Sequence, residues 1–297
     1  MSNILVFFLM LCMALGAAFA QDSPPTGVVR SGDIQLIRSS SKFSAGPLGI
    51  IDTTTDTLSG AFSMIDYGQP LGIDPPGVTT IGSCSVVSIG GTPPVDPPAV
   101  TILDAGPVLN LTGPNGSTQI AATQFAFGAM LGGGTTFPGL PAPPPLYLDA
   151  GTYTVDNGGG GADVGSFTAT LNIPTQFVWT NADAAASIDR SAGLDVAWTG
   201  GDPDSKVNIA GGVVVINADT FQVASGAFFT CTETNSAGHF FVPPEVLMLV
   251  SASTIVNDIP NGFLTVNNGV SVKFDAPGAD QSTFRFTSAA VRIPEYR

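Results

Sequence analysis

Glycine and proline interrupt this chain so often that few of its segments can form a helix. The 297 residues include 36 Gly and 24 Pro, which separate short runs rich in Val, Ile, Thr and Phe. Glycine and proline disfavour helices, whereas β-branched and aromatic residues favour strands. Short strands between turn-forming clusters are typical of sandwiches and barrels. We therefore predict an all-β chain with a sandwich-like architecture, immunoglobulin-like or jelly-roll-like, with two packed lobes.

The clearest strand pattern lies at Leu194–Thr199, where Val196 and Trp198 share the apolar face and polar residues alternate with them. This period of two is that of a half-buried strand. A turn-forming cluster occupies residues 200–205, and the alternation restarts at Val207, so the pattern predicts a hairpin. Further strands are predicted at 213–216, 227–232, 240–242, 262–266 and 270–274.

A four-residue motif, Leu-Asp-Ala-Gly, occurs at 103–106 and again at 148–151. Each copy precedes a short strand pattern and then a Gly-rich turn, which indicates a duplicated hairpin. One helical turn is predicted at Asn181–Asp189, where Asn or Asp can cap a run of alanines. It lies just after a predicted boundary between an N-terminal lobe, 21–173, and a C-terminal lobe, 174–297.

The first twenty residues have the pattern of a signal peptide. An apolar run ends in small residues, with Ala18 and Ala20 placed as a signal peptidase requires. The n-region has no Lys or Arg. We expect cleavage after Ala20, a mature chain that begins at Gln21, and a secreted or periplasmic location. No later segment is apolar for long enough to span a membrane.

Cysteine content is consistent with export. Removal of the signal peptide leaves only Cys84 and Cys231 in the mature chain. An even pair in an oxidising compartment predicts a Cys84–Cys231 disulfide, and two separate buried thiols are the alternative.

The charge balance argues against nucleic acid as a partner. Nine basic residues stand against 23 acidic ones, for a net charge of −14. So few cations cannot follow a phosphate backbone, and we expect the acidity to serve solubility. The expected partner is an extracellular protein or polysaccharide.

Groups that carry enzyme chemistry are sparse. His239 is the only histidine, no nucleophile motif lies near it, and we predict a surface role and no catalytic residue. Asp202 and Asp204 share the 200–205 turn and are candidate calcium ligands, because calcium prefers oxygen. The alternative is that both serve the turn itself, as Asp commonly does.

Aromatic residues offer a second kind of site. Trp179 is a candidate for stacking on a sugar, although it can equally fill a joint between the lobes. Together these features predict a non-catalytic structural or binding protein. The alternative is a carbohydrate-binding extracellular module, with calcium as its candidate cofactor.

Several short motifs are shared with one group of proteins. They are Gly-Ser-Cys-Ser-Val-Val around Cys84, Leu-Asp-Ala-Gly, Tyr153-Thr154-Val155, Ala197-Trp198-Thr199-Gly200-Gly201, Phe229-Thr230-Cys231-Thr232 and Phe241-Val242-Pro243. Over residues 80–297 the chain resembles exported acidobacterial (Solibacter-type) β-rich proteins of unknown function. The resemblance implies a secreted β-rich protein and carries over no catalytic residue.

Overall fold

The structure is a computed structural model that describes residues 27–44, 49–66, 78–90, 99–135, 141–216, 223–256 and 259–297. The predicted signal peptide lies outside these ranges. Within them, β-strands account for most of the chain.

The strands are β1 (Val28–Ser44), β2 (Ile50–Asp66), β3 (Val78–Ile81), β4 (Cys84–Gly90), β5 (Val100–Ile102), β6 (Val108–Gly113), β7 (Gly116–Thr123), β8 (Ala126–Thr135), β9 (Gly151–Asp156), β10 (Thr168–Ile173), β11 (Val178–Trp179), β12 (Ser187–Ile188), β13 (Leu194–Thr199), β14 (Lys206–Ile216), β15 (Val223–Thr234), β16 (His239–Val242), β17 (Ile255–Val256), β18 (Ile259–Pro260), β19 (Gly262–Phe274), β20 (Gln281–Arg292) and β21 (Glu295–Tyr296). The described helical segments are short: 3-10 turns at Ala182–Ala186 and Asn235–Ala237, and one α-helical turn at Pro244–Leu247.

Fourteen of the described strands form one mixed sheet. Its order is β10-β9-β6-β7-β8-β2-β1-β20-β19-β14-β15-β4-β3, and β5 pairs with β2. The central pair, β1 and β20, runs parallel, with Ile34 opposite Phe284, and its neighbours pair antiparallel. Strands from the two ends of the described chain therefore meet in the middle of the sheet.

Alternation in the central strands gives the sheet one apolar face. Ile34 and Leu36 of β1 and Phe284 and Phe286 of β20 are buried on that face. Intervening residues such as Thr283 point to the opposite face and are partly exposed. We call that opposite, polar face the outer face.

Two large apolar clusters pack against the inner face. One contains Leu58, Leu109, Tyr153 and Phe284, and the other is built around Trp198 and a smaller sheet, β11-β13-β16. β19 and β20 contribute to both clusters. On β20, Phe286 belongs to the first cluster and Ala290 to the second; on β19, Val270 packs against the first and Val266 belongs to the second. The predicted boundary near residue 174 stays a prediction.

The predicted hairpin at 194–209 is wrong in its pairing. Both strands exist, but β13 pairs with β11 and β16, whereas β14 pairs with β15 and β19. Trp198 and Ile209 belong to the same apolar cluster, so the two strands pack face to face across the core. Alternation predicts which face of a strand is apolar. It does not show whether two consecutive strands pair by hydrogen bonds in one sheet or belong to two sheets that pack face to face.

Other local predictions are confirmed only in part. The two Leu-Asp-Ala-Gly motifs lead into β6 and β9, which pair with each other. The helical turn predicted at Asn181–Asp189 is a shorter 3-10 turn, Ala182–Ala186, and Asn181 makes no side-chain capping hydrogen bond. The strands predicted at 262–266 and 270–274 are one continuous strand, β19.

The predicted all-β, sandwich-like class is confirmed. A specific immunoglobulin-like topology stays a prediction. None of the helices in the described part of the chain is long and apolar enough to cross a bilayer.

Candidate ligand-binding site

A hollow lies on the outer face, where four central strands run side by side. The cavity measures about 340 Å³ and is lined mainly by outer-face residues of β1, β20, β19 and β14. The strand register sets Ala289 beside Asn267, and Asn267 beside Asn208. Gly269 also lines the cavity, and a Cβ there would collide with the carbonyl oxygen of Phe286. Small residues between larger polar ones therefore shape the hollow.

Thr265 is the most informative residue of this site. It is 6% exposed, and its Oγ1 has no hydrogen-bond partner among the described residues. A buried polar group that is left unpaired costs about 1–3 kcal/mol. Because Thr265 lines the cavity, a ligand that supplies a partner for this hydroxyl would remove that cost.

Amide side chains add hydrogen-bonding capacity to the cavity wall. Asn267 lines it and makes no side-chain hydrogen bond within the described ranges. Asn208 accepts a hydrogen bond from Thr232 Oγ1 at 3.2 Å. An amide can donate and accept at once, which suits hydroxyl groups on a ligand.

Charged groups lie toward one end of the cavity. Arg285 Nε donates to Asp33 Oδ1 at 2.8 Å, and the amide of Gln35 donates to the other oxygen of Asp33. Asp33 and Arg285 are each about one-third exposed and offset each other's charge. Lys206 also lines the cavity and makes no ion pair within the described ranges. The wall therefore combines hydroxyl and amide groups with cationic donors, which suits a hydroxyl-rich molecule that can accept hydrogen bonds.

Trp179 lies in the core, which corrects the prediction that it stacks on a ligand. The residue is 5% exposed, and its Nε1 donates to Asn181 Oδ1 at 2.8 Å. The guanidinium of Arg292 sits 5.6 Å from the ring centroid, and burial lowers the pKa of Arg292. Stacking needs an open ring face, which Trp179 does not offer.

Asp202 and Asp204 lie in one turn, as predicted. The Oδ1 of Asp202 accepts the backbone N–H of Asp204 at 3.1 Å, a bond that stabilises the turn itself. Within the described ranges, no group of three or more His, Cys, Asp or Glu side chains is placed to hold a metal ion. In the described part of the chain, Asp202 and Asp204 therefore have no third side chain of these types beside them that could complete a calcium site.

The predicted disulfide between Cys84 and Cys231 is confirmed. The two residues lie directly opposite each other on β4 and β15, with Cα atoms 4.0 Å apart. Both are buried, at 1% and 0% exposed. The bond fastens β4, from the first half of the chain, to a strand of the second half.

His239, the sole histidine, is exposed at the start of β16. Its Nδ1 lies 3.4 Å from the carbonyl oxygen of Ala237. This position matches the predicted surface role.

A buried ion pair, Arg38–Asp56, was not predicted from the sequence. Arg38 donates to both oxygens of Asp56, at 2.8 and 2.7 Å, and Asp56 is fully buried. The hydrogen bonds to Asp56 raise the pKa of Arg38 against the opposing effect of burial. The alternation of the sequence does indicate this pair, because Arg38 lies on the same buried face of β1 as Ile34 and Leu36. A charged residue at such a position predicts a buried partner.

No family model matches this chain, and no curated protein matches it. Among solved structures, the μ-homology domain of Fcho1 from Danio rerio, with a bound Eps15 peptide, is 10% identical. That similarity covers 92% of this chain and 99% of the domain, at a TM-score of 0.19. The yeast delta-COP-I μ-homology domain, in complex with a Dsl1 WxWxV peptide, is 9% identical over 93% and 100%, at 0.17. Scores this low give no basis for transferring a fold family or a function.

Proposed function

We propose that this chain is an exported, non-catalytic binding protein whose outer-face cavity takes a hydroxyl-rich ligand, with a saccharide as the first candidate. The observation that carries the proposal is the buried, unpartnered hydroxyl of Thr265 on the cavity wall. Saccharide hydroxyls both donate and accept hydrogen bonds, and so complement Thr and Asn side chains. Asp33 offsets the charge of Arg285, and Lys206 adds an ammonium group to which a ligand hydroxyl can also act as acceptor.

The site differs from the stacking platform expected from the sequence. Its described lining contains no Trp or Tyr, so hydrogen bonds would carry recognition. Sites built to hydrogen-bond a hydroxyl discriminate strongly against analogues that lack it. We therefore expect selectivity among sugars that differ at a single hydroxyl.

Thr265→Val gives the sharpest test, because valine keeps the shape and removes the hydroxyl. The native protein, residues 21–297, is first screened on a glycan array, and the affinity for each hit is then measured by calorimetry. We expect Thr265→Val to melt at the same or a higher temperature, since the unpaired hydroxyl is gone, while affinity falls about 3- to 10-fold.

Asn267→Ala should weaken binding by a similar factor. Asn172→Ala is its matched control, because Asn172 is an exposed amide on β10 that does not line the cavity. The proposal fails if no glycan binds, or if Asn172→Ala lowers affinity as much as Asn267→Ala does.

Export has an independent test. The predicted signal peptide supports cleavage after Ala20, and the buried disulfide is compatible with an oxidising compartment. Sequencing the amino terminus of protein secreted by a bacterial host should give Gln21 as the first residue. Retention of Met1 in soluble protein would contradict the export proposal.

A further inference from the structure

A second cavity lies on the inner face of the sheet, and of its lining residues only Phe286 also lines the site proposed above. It measures about 220 Å³ and lies between the central strands, the second Leu-Asp-Ala-Gly motif and the segment 173–176. Arg38 of β1 and Ser288 of β20 lie opposite each other in the sheet and both line it. Each is 6% exposed.

Arg38 lines this cavity, and an ion pair with Asp56 orients its guanidinium. Its Nε and Nη2 are bonded to Asp56. Asp56 Oδ2 also accepts the backbone N–H groups of Tyr147 and Leu148, both at 2.7 Å. The guanidinium is therefore held in place, and its third nitrogen, Nη1, makes no hydrogen bond within the described ranges. The cavity therefore offers N–H donors fixed in position to an acceptor group.

Asp149 provides a negative charge at this cavity. A comparison of the two Leu-Asp-Ala-Gly motifs shows that the Asp149 carboxylate does not stabilise its own turn. In the first copy, Asp104 Oδ1 accepts the N–H of Gly106 and closes the turn. In the second copy, Asp149 Oδ2 accepts a hydrogen bond from Asn115 at 2.9 Å. Its Oδ1 has no hydrogen bond in the described part of the chain, and Asp149 is exposed at the cavity.

We propose that this inner cavity binds a small zwitterion, such as a free α-amino acid. The ligand carboxylate accepts from Arg38, and the ligand ammonium donates to Asp149. Ser288, Thr175 and Gln176 add neutral polar groups to the wall. The rest of the lining is apolar: Leu148, Ala150, Ile173, Pro174 and Phe286. The volume is about seven times the roughly 30 Å³ that one water occupies in the liquid, enough for glycine or alanine.

The test is calorimetric titration of the native protein with glycine, and separately with acetate and ethylamine, each of which carries only one of glycine's two charged groups. Glycine should bind at least 10-fold more tightly than either. Asp149→Asn should lose at least 10-fold in glycine affinity, because it removes the partner of the ammonium group. Asp204→Asn is the control: it makes the same charge change in an exposed turn outside the cavity.

Equal binding of glycine, acetate and ethylamine would overturn the proposal, as would no binding or an equal loss in both variants. If Asp149→Asn fails to fold, the affinities of the native protein for glycine, acetate and ethylamine still test the proposal. The two sites are distinguishable, because Asn267→Ala should leave glycine binding unchanged and Asp149→Asn should leave glycan binding unchanged.

Discussion

Asp56 is a carboxylate with no exposure, and its two oxygens accept four hydrogen bonds from Arg38, Tyr147 and Leu148. Removing one partner of a buried pair leaves the other charge uncompensated in a poorly solvated environment. We predict that Asp56→Asn lowers the free energy of unfolding by about 3–5 kcal/mol. Urea denaturation of both proteins measures the difference.

The Asp33–Arg285 pair provides a matched comparison, because it is also a carboxylate–guanidinium pair but is about one-third exposed. Exposed pairs contribute at most about 1 kcal/mol, so Asp33→Asn should cost far less. Equal losses in the two variants would show that burial of Asp56 is not what makes its pair important.

Tyr153 should make the protein sensitive to high pH. Burial raises the pKa of Tyr153 to about 12, whereas an unfolded tyrosine has a pKa of about 10. Between these values the unfolded chain loses a proton that the folded chain keeps, so the free energy of unfolding should fall as the pH rises. Urea midpoints at pH 9 and pH 11 measure the decline.

Tyr153→Phe is the control for this titration. It should lose stability at neutral pH, because Tyr153 donates to the carbonyl oxygen of Tyr147 at 2.9 Å. Its further decline at high pH should be smaller but not zero, because burial also raises the pKa of Tyr147. An unchanged decline would assign the alkaline sensitivity to other groups.

Residue-level prediction from the sequence succeeded where chemistry alone constrains the outcome. Two cysteines allow only one pairing, so Cys84–Cys231 could be predicted without geometry. The prediction that Trp179 stacks on a ligand was wrong, because the sequence shows that an aromatic ring is present but does not show which elements cover it. The hollow at Thr265 depends on the lateral register of four strands that come from three separate parts of the chain, and local sequence patterns carry no such information.

At the scale of elements, the disulfide joins two neighbouring strands that are 147 residues apart in sequence. Such a long loop makes the bond most effective in restricting the unfolded chain. Replacing both Cys84 and Cys231 with Ala should lower the free energy of unfolding by about 2–5 kcal/mol. Guanidinium denaturation tests this, and a non-reducing peptide mass map of the native protein is the control. A change well below 1 kcal/mol would contradict the expectation.

Strand positions were predictable and strand partners were not. β13 and β14 were located because alternation is local, yet they lie in different sheets. The deciding interaction is the shared apolar cluster of Trp198, Val207 and Ile209, which packs the two strands face to face. A turn of six residues with Gly200 and Gly201 at positive φ lets the chain make that change of sheet.

At the scale of the whole molecule, one sheet supports both apolar clusters. Phe284 and Phe286 of β20 belong to one cluster and Ala290 to the other, while β4, from the first half of the chain, pairs with β15 of the second half. Long-range pairings of this kind leave no periodic trace in the sequence. The predicted boundary near residue 174 was drawn without knowledge of them.

This shared sheet predicts that the protein unfolds as one cooperative unit. Both tryptophans, Trp179 and Trp198, lie in the same apolar cluster. Their fluorescence therefore reports on the unfolding of that cluster alone, whereas far-UV circular dichroism reports on all strands. Because β19 and β20 contribute side chains to both clusters, unfolding of one cluster would disrupt these strands and so destabilise the other cluster. We therefore expect the two probes to give coincident urea midpoints. Separate midpoints, with a plateau in the circular dichroism, would instead indicate two independently folding domains and support the boundary near residue 174.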